Sequence, residues 1–72
     1  MAKLILSNNI KSLRFHCDEM TQQDLATKSG VSRQTIIAIE SGKYNPSLEL
    51  SFRIAHVFKV KLEEVFSYKV VN

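Results

Sequence analysis

Apolar residues recur at helical spacing through most of this chain, and short polar or small residues punctuate them. "NNIKSLRFHC" carries Ile10 and Leu13, then Phe15 or Cys17, with Asn8 or Asn9 placed to cap the helix start. "DEM" ends that helix. Thr21 caps a second helix over about residues 22–29, with Asp24 as a weaker form of the capping box and Leu25 and Ala26 on its buried face. Gly30 can take a positive φ and let the chain turn sharply, with Val31 as the apolar plug of the turn. Ser32 then caps a third helix over about residues 33–41. Gly42 stops it, and Pro46 forbids its continuation. Ser47 caps a fourth helix, in which Leu50, Ile54, Val57 and Phe58 repeat at helical spacing, backed by Leu48 and Ala55. "KVKLEEVF" predicts a short fifth helix with Leu62, Val65 and Phe66 as its apolar residues.

The two ends fall outside this pattern. "KLIL", residues 3–6, and "YKVV", residues 68–71, are short, apolar or β-branched, and lack a residue that would start a helix. The first helix begins just after one and the fifth ends just before the other. They are therefore expected to pair as a two-stranded antiparallel ribbon. A ribbon alone is marginal in water, so it must pack on the fifth helix or on a second chain.

The third helix poses a separate problem. Ile36, Ile37, Ala38 and Ile39 are consecutive, yet a helix turns about 100° per residue, so one inward stripe cannot hold all four. With Ile36 at the origin of a helical wheel, Ile39 falls about 60° to one side and Glu40 about 40° to the other, which makes these three the inward face. Gln34 and Ala38 fall roughly opposite, at about 160–200°, and Ile37 lies near them at about 100°. Arg33 and Thr35 flank the two faces. The outward side thus carries a glutamine, a small apolar residue and an isoleucine, with an arginine at its N-terminal end.

Length and composition narrow the reading. Seventy-two residues make one small domain with a marginal core. The single Cys17 rules out an internal disulfide, and two histidines, His16 and His56, with one cysteine match no common zinc spacing. No metal or cofactor is expected. Nor is an enzyme: there is no Ser/His/Asp or Cys/His arrangement, no Gly-rich phosphate loop and too little chain for a deep pocket. The opening apolar run is too short for a signal peptide or a membrane span, so a soluble cytoplasmic protein is expected. The net charge of +3 permits an anionic partner without singling one out.

The second and third helices are short and joined by "SGVS", two helices at a steep angle over a glycine turn. From Asn9 to Phe66 the chain resembles the compact Cro/CI-type, or XRE-type, helix-turn-helix transcription regulators. "TQQDLATKSGVSRQTI", "IESGKYNPSLEL" and "IAHVFKVKLEEVF" carry the likeness. The resemblance implies a mainly α, five-helix bundle of the lambda-repressor-like type, with the helix-turn-helix unit at about residues 22–41. It also implies sequence-specific binding of double-stranded DNA, usually as a homodimer. It carries the family's base-reading positions onto Ser32, Arg33, Gln34 and Ala38, and the wheel adds Ile37. These types suit a major groove: Arg can fork onto guanine, Gln can bond adenine with both amide atoms, and Ala or Ile can pack on a thymine methyl. Backbone contacts are expected from Gln22 at a helix N-terminus, from Thr35 on the flank, and from Lys43, Tyr44 and Asn45 in the following loop. Lys28, at the far end of the second helix, is read as a solvated charge.

The same resemblance pairs Glu40, on the inward half of the third helix, with a first-helix arginine, here Arg14. The family typically places that arginine six residues before the second-helix cap, whereas Arg14 stands seven before Thr21, so one extra residue sits in "FHCDEM". A protein-interaction role, such as an antitoxin that also binds DNA, is the competing expectation. The short segments beyond the five helices leave it little room. No small-molecule ligand or membrane partner is expected.

Overall fold

The computed structural model describes residues 2–72. Its elements run β1 (Lys3–Asn8), α1 (Ile10–Phe15), α2 (Gln22–Ser29), α3 (Arg33–Glu40), α4 (Leu48–Phe58), α5 (Leu62–Val65) and β2 (Phe66–Val71). All five expected helices form, and the two ends pair as an antiparallel ribbon that starts at Phe66, a residue expected in the fifth helix.

Three helix starts are held by side-chain caps. Thr21 and Asp24 make a full capping box, Ser32 Oγ accepts the Thr35 N–H, and Ser47 Oγ accepts the Leu50 N–H. The start of α1 is different. Asn9 occupies the cap position without a side-chain cap bond, and the Ile10 N–H is taken by Asn8 Oδ1 instead. Gly30 ends α2 in the left-handed region at φ 77°. Lys59 does the same for α4 at φ 57°, an end that no glycine marks.

Ile10, Leu25, Ile36, Ile39, Ile54 and Val65, one or two from each helix, fill the centre of the core. Leu13, Val31, Val57, Phe58, Val60 and Phe66 pack around them. Two expectations fail here. Phe15 and Cys17 both lie on the surface, and Met20 takes the core place. Phe15 falls about 140° from Ile10 on the wheel. Cys17 would face inward on a longer helix, but α1 ends at Phe15. Leu48, expected to back the α4 stripe, is 67% exposed, because it lies about 120° from Ile54 around the helix.

The extra residue before Thr21 is absorbed in the turn that follows α1. Asp18 and Glu19 both adopt left-handed backbone, each at φ 53°. The chain doubles back there, and the Met20 N–H reaches the Arg14 carbonyl at 2.9 Å. That reversal is what delivers Met20 to the core.

In the ribbon, Lys3 pairs with Val71 and the register runs on to Asn8 opposite Phe66. Side chains alternate across a strand pair. Leu4, Leu6, Asn8, Phe66, Tyr68 and Val70 therefore share one face, and Lys3, Ile5, Ser7, Ser67, Lys69 and Val71 the other. The base of the first face joins the body through Phe66, and its outer part is uncovered. Among the described residues, no helix is long and apolar enough to cross a membrane.

Candidate nucleic-acid interface

Helices α2 and α3 meet over a turn whose backbone bonds back to α2. The Val31 N–H returns to the Ala26 carbonyl at 3.0 Å, and Ala26 and Leu25 are wholly buried. The small Ala26 side chain lets the two helices approach closely.

The two faces of α3 separate as the wheel requires. Ile36 and Ile39 are buried. Ser32, Arg33, Gln34 and Ile37 are exposed, and Thr35 and Ala38 are half-buried. Gln34 has no partner among the described residues' hydrogen bonds and extends from a rigid helix. Thr35 is engaged, since its hydroxyl lies 3.0 Å from Ser32 Oγ. Lys43, Tyr44 and Asn45 follow the helix on the surface, where the Lys43 and Tyr44 N–H groups both bond the Ala38 carbonyl. Tyr44 also borders a small cavity of about 30 Å³ with Leu6, Asn8, Pro46 and Phe66, so its ring has a packing role.

At the start of α2 the N–H groups of Gln22 and Gln23 have no intrahelical acceptor. Thr21 Oγ1 takes the Asp24 N–H at 2.9 Å, and Asp24 Oδ2 takes the Thr21 N–H at 3.2 Å. The backbone and hydroxyl bonds to Thr21 hold the Asp24 carboxyl below its ordinary value. Arg33 lines an open polar cleft together with Thr21, Gln22 and Gln23. The structure thereby brings the first side chain of α3 beside the N-terminus of α2. Gln23 was not singled out from sequence, although it shares the first-turn position that recommends Gln22.

The Gln22 side chain leans toward the end of α3. Its Nε2 donates to Glu40 Oε1 at 3.4 Å, which leaves the backbone N–H and the second amide N–H as open donors. Glu40 is the hub of this corner. Arg14 Nε reaches Glu40 Oε2 at 2.7 Å and Arg14 Nη2 reaches Oε1 at 3.1 Å, a two-pronged ion pair. Arg14 Nη1 adds a bond to the Met20 carbonyl at 2.9 Å. One guanidinium thus fastens α1, the inserted turn and the end of α3, and the pair is almost fully covered, at 14% and 10% side-chain exposure.

The chain is similar to known proteins. A regulator of Methanocaldococcus jannaschii described as HTH-type and uncharacterised is 56% identical over 64 residues, covering 89% of this chain and 96% of its own. The Bacillus subtilis HTH-type regulator YgzD is 43% identical over 61 residues, covering 85% and 91%. A crystal structure of a Bacteroides fragilis protein described as DNA-binding superposes with a TM-score of 0.74 at 27% identity, over 86% of this chain and 98% of that one. The family described as helix-turn-helix matches residues 19–65, from the inserted turn to the end of α5, and the chain belongs to this XRE-type helix-turn-helix family.

Proposed function

We propose that this chain reads double-stranded DNA with the outward face of α3 and acts as a homodimer on a palindromic operator. Its family is one of DNA-binding transcriptional regulators, and the finer reading rests on the exposure pattern of α3. An eight-residue helix that buries Ile36 and Ile39 while presenting Arg33, Gln34 and Ile37 to solvent has the width and chemistry for a major groove. Ser32, Arg33, Gln34, Ile37 and Ala38 are assigned to base edges. Phosphates on either side are assigned to the open N–H of Gln22 and to Thr35, Lys43, Tyr44 and Asn45.

Dimerisation is supported by the uncovered apolar face of the ribbon. Leu4, Leu6, Tyr68 and Val70 are each more than half exposed on one side of it. Beside them, Leu6, Pro46, Leu48, Leu62 and Phe66 line an apolar groove of about 130 Å³. A lone helix-turn-helix unit contacts few bases, and two half-sites about one helical turn apart supply the missing specificity.

Selection from random duplex DNA tests the base-reading assignment. Arg33→Ala and Gln34→Ala should each cost about 1–3 kcal/mol on the selected operator and relax preference at one or two base pairs. Lys43→Ala should weaken all duplexes alike and reduce the salt slope by about 1. If Arg33→Ala kept the ratio of operator to random-DNA affinity unchanged, Arg33 would belong with the backbone contacts in the cleft it shares with α2.

A further inference from the structure

We propose that Asn8 is a positioning residue that couples the ribbon to the recognition helix α3 and so sets the half-site spacing this protein accepts. The inference rests on the dimeric DNA-reading assignment above.

Asn8 is the last ribbon residue of β1, opposite Phe66, and is half-buried. Its Nδ2 donates to the Ile39 carbonyl in the last turn of α3 at 3.1 Å, and its Oδ1 accepts the Ile10 N–H at the start of α1 at 3.2 Å. The amide fits in one orientation only, because turning it over would set oxygen against carbonyl and NH₂ against N–H. Among the described residues this is the one hydrogen bond that joins the ribbon to α3. Its neighbour fixes the same junction from the other side: the Asn9 N–H bonds the Val65 carbonyl at 2.8 Å and Asn9 Nδ2 bonds the Glu64 carbonyl at 3.3 Å. The ribbon is therefore not a loose tail. It is seated on α1 and α5 and tied by a single side chain to the end of the helix that enters the groove.

In a dimer joined through the ribbon, this tie is the direct hydrogen-bonded link from the interface to each recognition helix, alongside the packing of Phe66 on the core. Adding one base pair between half-sites shifts and rotates one half-site by about a tenth of a turn. A rigid tie makes that displacement costly, and a loosened one lets α3 follow it. The Ile39 carbonyl also receives the Gly42 N–H at 3.1 Å. Losing the Asn8 donor consequently leaves the end of α3 capped, and the change falls on the coupling.

Asn8→Asp is the near-isosteric probe. It keeps the acceptor for Ile10 and puts a carboxylate oxygen where the donor to Ile39 stood, so the tie is broken and the two facing oxygens repel. Binding is measured on the selected palindrome, on palindromes with one or two base pairs added or removed at the centre, and on an isolated half-site. The wild type should lose about tenfold or more for each step from the optimum, a mismatch-sized cost. Asn8→Asp should flatten this to about threefold or less, while half-site affinity and the dimer dissociation constant change by less than about twofold. Asn8→Ser, which also keeps an acceptor, should give the same flattened profile. A spacing profile unchanged in both variants overturns the proposal. So does an equal loss on every duplex, half-site included, which would make Asn8 a support of the helix itself. A wild type with no preferred spacing overturns the dimeric reading, and this proposal with it.

Discussion

Arg14 forks onto a carboxylate that α3 carries into a nearly dry corner, and the cost of removing either partner follows from that burial. Glu40 alone would be an uncompensated charge with little access to water, so the pair matters less for what it adds than for what its loss leaves behind. Arg14→Ala should lower stability by about 3 kcal/mol in urea denaturation, with the m-value unchanged. Lys28→Ala, on the exposed end of α2, should stay within about 0.5 kcal/mol of wild type. Equal effects from the two substitutions would show that the Glu40 corner is solvated in solution. Gln22 belongs to the same corner. Its amide donates to Glu40 at 3.4 Å and adds a second partner to that carboxylate.

The turn between α1 and α2 is the element with the most unusual backbone in this chain. It takes up the added residue with two consecutive left-handed residues, neither of them glycine. Each L-residue in that region carries about 1–2 kcal/mol of steric cost, with aspartate more tolerant than glutamate. Glu19→Gly removes the larger share, offset by the added freedom of glycine in the unfolded chain of about 0.5–1 kcal/mol. Stability should therefore rise, by up to about 1 kcal/mol, with the melting temperature as the readout. A fall would mean that the Glu19 side chain makes a contribution larger than the strain it imposes. The turn was legible in the sequence as an extra residue. Its route was not, because several combinations of φ and ψ can take up one residue, and the choice depends on where Met20 finds a hole to fill.

Over the whole molecule, the apolar surface is distributed unevenly. The long axis of 39 Å exceeds the other extents of 21 and 19 Å. The ribbon keeps Leu4, Leu6, Tyr68 and Val70 in contact with solvent, on a face whose base is already part of the core. The opposite face carries Lys3 and Lys69 beside Ile5 and Val71, a composition suited to water. These two faces give a paired experiment on one strand. Leu6→Lys should convert the protein to a monomer in sedimentation at micromolar concentration, whereas Ile5→Lys, one residue away and on the other side, should leave the dimer intact. A monomeric wild type, with and without DNA, would defeat the dimer reading.

Helix existence, the starts of α2, α3 and α4 and the two faces of α3 follow from the sequence alone. They depend on interactions that close within four residues, such as a hydroxyl on the next turn's N–H, a glycine at positive φ, or a 100° step between neighbours. Thr21, Ser32 and Ser47 cap as their types and positions imply, and Ile36 turns inward while Ile37 turns out because no helix can bury both. The pairing of the ends was legible for a similar reason, since both segments lack helix signals and flank helices that must meet. The tertiary structure decided the rest. Cys17 faces water and Met20 the core because the length of α1 is set by the turn after it, not by its own periodicity. Leu48 lies on the rim of the open groove between α4, α5 and the ribbon, which leaves it mostly uncovered. Asn8 looks from sequence like a helix cap, and in the fold it spans to a carbonyl 31 residues away. Which groups lie across such a gap depends on how whole elements pack, and no local pattern in the chain records it.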